Sequence, residues 1–204
     1  MTRRKSDDKR AAILDAAVSL FSHYGYRRTS VEDVAKEAGI AKGTVYLYYR
    51  NKQALFGAVC GHVADTFLAR SEAALAERGP LGDKALALLR AKFGYLYEIV
   101  HSSPHAAEII QSKNQLARAT FVRADERYVG LLSALLVAAD EAGELALAEA
   151  GLSAAAAAAL LCRCAHGAGM GDPPGVRPDA AEYDRRLAEV TRVVLAGLGA
   201  RALG

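Results

Sequence analysis

Two clusters in this 204-residue chain carry side chains able to do chemistry. The first is Cys162-x-Cys164-x-His166, three groups that metals favour. On a helix, however, Cys164 points about 200° away from Cys162, so only Cys162 and His166 share a face. A single ion cannot collect all three. His101 and His105 straddle Pro104 with no third ligand near them in sequence. No nucleophile elbow, phosphate loop or metalloprotease motif occurs, so no catalysis, metal or cofactor is expected. The second cluster is Ala41-Lys-Gly-Thr-Val-Tyr-Leu-Tyr-Tyr49, whose residue types hold a polyanion instead of transforming a substrate. Lys42 reaches a phosphate or a guanine edge, Gly43 permits close backbone approach, and Thr44 offers a hydroxyl and a methyl. Tyr46 and Tyr48 carry phenols suited to phosphates, and Leu47 lies on the same outward side. Just beyond, Asn51-Lys52 opens another helix, where free amides and a lysine suit a further phosphate.

These side chains act together only if short helices present them. A first helix starting near Ser6-Asp7-Asp8 has an apolar face of Ile13, Leu14, Ala17, Leu20, Phe21 and Tyr24, and Gly25 ends it. Ser30 stands three residues before Asp33, a capping-box start for a second helix carrying Val31, Val34, Ala35 and Ala38. Gly39-Ile40 breaks that helix, and Ala41–Tyr49 forms a third with Val45 and Tyr49 turned inward. Two short helices joined by a glycine turn and steadied on both sides form a helix-turn-helix, whose second helix fits the DNA major groove. Charge agrees with this. Residues 1–53 carry 11 Lys and Arg against 6 Asp and Glu, whereas the remainder carries 15 against 17, although the whole chain is only +3.

The stretch Ile13-Leu-Asp-Ala-Ala-x-x-Leu-Phe21, then Gly25-Tyr26, Thr29-Ser30-Val31, Val34-Ala35, Ala38-Gly39-Ile40, Lys42-Gly43-Thr44-Val45-Tyr46, Tyr48-Tyr49 and Asn51-Lys-x-x-Leu-Phe56 closely resembles the TetR family of bacterial transcriptional regulators. The resemblance covers about Asp7 to Phe67. It implies that Ser30 and Lys52 anchor the DNA backbone, while Lys42, Gly43, Thr44, Tyr46 and Tyr48 face the groove. Leu47 completes the expected DNA-binding set. Position 41 departs from the pattern, because Ala stands where the family often has Ser or Thr as a helix cap, so no side-chain phosphate contact is carried over there.

Beyond residue 67 the chain is rich in Ala and Leu and reads as further helices. A long fourth helix opens at Asn51, with Leu55, Phe56, Val59, Val63, Phe67 and Arg70 as its inner stripe. A helix from Asp83 to Val100 should bury Leu86, Leu89, Phe93, Leu96 and Val100. A short piece spans His105 to Gln111, and a helix from about Lys113 to Asp140 should pack Ala117, Phe121, Ala124, Tyr128, Leu131 and Leu135. Ser153 to Met170 and a helix capped by Asp179 complete the chain, separated by a loop over Gly171–Pro178. The expected architecture is all-α: a three-helix DNA-binding domain joined by a long helix to a helical ligand-binding and dimerisation domain. Residues 1–6 form a basic arm, expected to be disordered, with a minor-groove contact as the alternative. Residues 7–67 form the DNA-binding domain, with its motif at 30–49, and residues 68–204 the regulatory domain.

One helix-turn-helix reads few base pairs, so a homodimer on a palindromic operator is expected. The last two long helices supply a seam from Ala154–Ala159, Ala165, Gly167, Gly169, Leu187, Val190, Val194 and Leu198, and the resemblance implies the same interface. It also implies a pocket for an unidentified small-molecule effector. Phe93, Tyr97, His101, Gln111, Asn114, Phe121, Tyr128 and His166 are its candidate ligand residues. Three cysteines argue for a reducing cytoplasm, and no apolar run reaches the ~18 residues of a membrane span. The expected function is a repressor released from DNA by its effector. A ligand-independent regulator, an activator, or a helical scaffold for an acidic protein are the alternatives.

Overall fold

A computed structural model describes residues 2–101, 115–170 and 177–200, with side chains described outside 2–6, 101 and 115–117. The described chain is helical throughout and falls into two compact units. One comprises Met1–Thr66 with Ile99–Arg123, the other Phe67–Glu98 with Ala124–Gly204.

In the first unit α1 spans Thr2–Tyr24, so residues 2–6, expected as an arm ahead of the helix, are its opening turns. Its inner face is Ile13, Leu14, Ala17 and Phe21; Leu20 is half-buried, and Tyr24, expected inside, is 52% exposed. Gly25 ends the helix at φ +83, a left-handed turn that glycine adopts without steric cost. From that turn the chain is pinned back by Thr29, which is buried with its hydroxyl 3.0 Å from the Gly25 carbonyl oxygen and 3.2 Å from that of Leu20. Helices α2 (Val31–Glu37) and α3 (Lys42–Tyr48) come next, joined through Gly39 at φ +67. Val34 and Val45 are fully buried, and α2 packs against both α1 and α3. Helix α4 (Lys52–Ala76) begins at Asn51, whose Oδ1 accepts the Ala54 N–H at 2.7 Å. Its Phe56 closes an edge-on ring cluster with Phe21 and Tyr26, with centroids 4.8–5.7 Å apart.

The second unit departs from the sequence pattern in two registers. Helix α5 (Leu81–Leu89) starts at Leu81 instead of Asp83, with Pro80 at its cap. It passes through a π-helical turn, Arg90–Gly94, into α6 (Tyr95–His101). The buried face is Ala85, Leu88, Leu89 and Lys92, whereas Leu86, Phe93, Leu96 and Val100 are half-buried. A π turn carries an extra residue that rotates the helix beyond it, so one regular 3.6-residue stripe does not run through Arg90–Gly94. Helix α7 (Gln115–Glu141) buries Ala124, Tyr128, Leu132 and Leu136, with Leu131 and Leu135 half-buried. Adjacent leucines at 131–132 and 135–136 left that register open, and strict spacing by four from Tyr128 decided it. The piece expected at His105 to Gln111, and residues 171–176 of the expected loop, lie outside the described residues.

Ser153 and Asp179 cap α8 (Ala154–Ala168) and α9 (Ala180–Gly197), accepting the N–H of Ala156 and Glu182. The two helices pack closely, burying Ala157, Ala158, Leu161 and Ala165 beside Tyr183, Leu187 and Leu195. Arg90 ties α9 to the end of α5 by a forked ion pair with Asp184 at 2.6 and 2.7 Å. No described helix is long and apolar enough to cross a membrane.

Candidate nucleic-acid interface

Helix α3 is seven residues long and buries only Val45. A helix that existed to support its own fold would turn a wider apolar stripe inward. Here Lys42, Gly43, Tyr46 and Leu47 are exposed and Thr44 and Tyr48 half-buried, so each α3 residue expected to face DNA is accessible to solvent. Leu47 is 84% exposed. A Cβ built on Gly43 would meet nothing within 4 Å, so the fold itself does not require glycine there. Ala41 has the extended backbone of a cap, φ −69 and ψ 143, but makes no side-chain bond to the helix.

The charged members are not free in this state. Lys42 Nζ lies 2.8 Å from Glu32 Oε2 on α2, and that carboxylate raises the lysine pKa. Lys52 Nζ lies 4.4 Å above the Tyr26 ring and donates to the Arg27 carbonyl at 3.3 Å. Partial burial lowers its pKa, and Asp33 opposes that in part. Ser30 completes the capping box: its Oγ accepts the Asp33 N–H at 3.1 Å, and its own N–H and hydroxyl donate to Asp33 Oδ2, each at 2.7 Å. Those bonds hold the Asp33 carboxyl below its ordinary pKa. A phosphate at Ser30 would have to displace this carboxylate. Glu32 and Thr29 were missed as members of the site; nothing in sequence spacing reveals a contact across ten residues or a buried hydroxyl closing a turn.

Five of the effector candidates have described side chains. Tyr128 is fully buried, donates to the Leu88 carbonyl at 2.9 Å, and meets Phe93 edge-on at 6.0 Å. Tyr97 stacks on Tyr183 at 3.8 Å and donates to the Pro178 carbonyl at 2.5 Å. His166 is exposed, and Phe121 is half-buried and belongs to the first unit. His101, Gln111 and Asn114 have side chains outside the described residues. The polar group missed in this unit is Lys92 in the π turn, 6% exposed. Its ammonium lies 4.5 to 5.8 Å from the ring centres of Tyr128, Phe93 and Phe67 and 3.0 Å from Asp125. Among the described residues no group of three or more His, Cys, Asp or Glu is placed to hold a metal ion.

Of the residues named for a dimer seam, Ala157, Ala158, Ala165, Leu187 and Leu198 are buried within the chain's own packing. Val190 and Val194 are half-buried, and Val193, not named, is 59% exposed.

A short exposed helix after a glycine turn, on the basic end of an all-helical chain, defines a helix-turn-helix DNA-binding protein. Residues 13–59 match the family model described as bacterial regulatory proteins, tetR family. The fatty acid metabolism regulator protein of Bacillus subtilis (strain 168) is 28% identical over 134 residues, 65% of this chain and 69% of that protein. The regulator RutR of Escherichia coli (strain K12) is 37% identical over 73 residues, 36% of this chain and only 34% of its own length. Among solved structures, a TetR-family regulator from Mesorhizobium loti superposes with a TM-score of 0.70 at 24% identity, covering 94% of this chain and 96% of that one. FadR from Bacillus subtilis, crystallised with stearoyl-CoA, gives 0.67 at 22%, covering 92% and 98%. Residues 13–59 thus carry a TetR-type DNA-binding domain, and the chain is similar to DNA-binding transcriptional regulators of that family.

Proposed function

We propose that the protein is a homodimeric repressor that holds a palindromic operator through α3 and leaves it when a small-molecule effector binds the regulatory part of the chain, residues 68–204. The carrying observation is α3 itself, with one buried residue and an outward face of Lys42, Gly43, Tyr46 and Leu47. Lys42, Lys52 and the phenols of Tyr46 and Tyr48 take phosphates, and Ser30 does so only by giving up its bond to Asp33. Gly43, Thr44 and Leu47 meet base edges. Two such heads are needed because one short helix reads too few base pairs. The dimer seam uses the faces of α8 and α9 left open by their mutual packing, Val190, Val193 and Val194 among them.

Effector binding acts through α4, which starts at the Asn51 cap beside α3 and continues past Phe67. A small tilt of that helix changes the separation of the two recognition helices, which must match a half-site spacing set by the DNA turn. The names of the fatty acid regulators among the relatives support a long-chain acyl thioester of coenzyme A as the first effector to try. Selection of bound duplexes from random DNA by the purified protein tests the reading. The expected result is an inverted repeat bound in steeply salt-dependent fashion and released by stearoyl-CoA. Selection of no sequence at moderate salt would overturn it, and binding that survives high salt would point to a protein partner instead.

A further inference from the structure

Leu47 is the one α3 side chain whose exposure the proposed phosphate contacts do not explain. At 84% it is more exposed than any other large hydrophobic residue among those described, and it offers no hydrogen bond. Side chains on a helix lean toward the preceding turn, so Leu47 lies over the level of Gly43 and Thr44. At Gly43 nothing stands within 4 Å of where a Cβ would be, which leaves backbone level with the helix surface beside the leucine. Thr44 adds a methyl on the same turn. The result is a small apolar spot next to a gap, on a helix that also carries Lys42, paired with Glu32, and the exposed Tyr46.

Four kinds of base edge line the major groove, and only thymine carries an apolar group there, its 5-methyl. A cytosine amino group or a guanine carbonyl set against Leu47 would lose its water and gain no partner. We infer that Leu47 is a specificity-determining residue that selects thymine at one position of each half-site by packing on its 5-methyl group, with Gly43 providing the room. This rests on the reading of α3 as the DNA-contacting helix.

The test replaces thymine by deoxyuridine, position by position, in a duplex the protein has itself selected from random DNA. That change removes one methyl and no hydrogen-bonding group. Burying one methyl-sized group is worth about a fourfold change in affinity, so each half-site should show one thymine whose replacement weakens binding about fourfold. Leu47→Ala should bind the thymine duplex about fourfold more weakly per half-site and be indifferent to deoxyuridine at that position. Its melting temperature should match the parent's, because the side chain packs against nothing it must hold. A wild-type protein that binds its duplex selectively yet tolerates deoxyuridine everywhere overturns the inference and leaves the DNA-contact reading standing. So does a Leu47→Ala variant that keeps the full deoxyuridine penalty. If no duplex is selected at all, both fall together.

Discussion

The ion pair between Lys42 and Glu32 sets up a competition that mutation can expose. If Lys42 holds a phosphate in the complex, it must first leave Glu32, 2.8 Å away, and the bared carboxylate then stands close to the DNA backbone. Glu32→Gln removes both effects while keeping the shape. The side chains are 52% and 70% exposed, so water and salt screen the pair, and its loss should leave folding stability almost unchanged. A carboxylate within about 6 Å of a phosphate in water weakens binding about threefold, so the variant should bind about threefold more tightly per protomer at 0.05 M salt. The gain should fade toward 0.2 M as the screening length shortens below about 10 Å.

Lys42→Met supplies the counterpart. Each phosphate contact adds about 0.9 to the slope of log affinity against log salt, so a dimer losing two contacts should have a slope shallower by about 1.8. Fluorescence anisotropy titrations of a labelled operator from 0.05 to 0.3 M salt measure both quantities. In the double variant the benefit of Glu32→Gln should shrink, since there is no longer a lysine to release. The carboxylate raises the Lys42 pKa, so this group stays charged at neutral pH and adds no pH dependence there. Weaker binding by Glu32→Gln at every salt concentration would refute the competition: Glu32 would then be presenting the lysine to DNA, not withholding it.

Ala41→Ser places a hydroxyl where the extended backbone already suits a cap; the expected gain is about 1 kcal/mol, seen as a melting temperature higher by about 2–4 °C. Asp125→Ala strands the buried Lys92 ammonium and should cost about 1–3 kcal/mol in urea titrations, less than a fully buried pair would because Asp125 is 55% exposed; Lys92→Met, which removes the charge and keeps the volume, should cost less than Asp125→Ala. Burial pushes the Cys60 thiol up to about 12, so alkylation at pH 8 followed by peptide mass spectrometry should leave it unlabelled in the folded protein and labelled in urea. Its raised value also means that the unfolded chain ionises first, so stability falls as pH rises from about 9 toward 12, and Cys60→Ala should flatten that alkaline limb.

The elements legible in the sequence were those with a local chemical signature. Ser30 with Asp33, Asn51 and Asp179 each marked a helix start, and the structure forms the capping bond at each. Gly25 and Gly39 marked turns that take positive φ. Illegible features depended on something outside the local window. Leu131 and Leu132 are chemically equal, so only packing around Tyr128 could choose between them. The π turn at Arg90–Gly94 has no composition that distinguishes it from the α-helix on either side. Lys92 reads as surface by residue type, yet one turn from Leu88 and Leu89 it shares their buried side, and three aromatic rings with Asp125 make that tolerable.

Helix α3 was legible for a different reason: it breaks the rules that make a helix stable by itself. Its cap position is Ala41, its second residue is glycine, and its most exposed side chain is leucine. Each choice weakens a free helix of seven residues: alanine leaves the first N–H groups without a side-chain acceptor, glycine adds backbone entropy, and an exposed leucine contributes no burial. Among the described residues, neither Gly43 nor Leu47 offsets its loss by packing. A Cβ at Gly43 would meet open space, and Leu47 packs on no neighbour it must hold. Local choices that oppose the fold without compensation inside it are expected where the surface is made for something else. On α3 Gly43 and Leu47 fall on the side that faces away from Val45, and that side is the one the proposed DNA contact would complete.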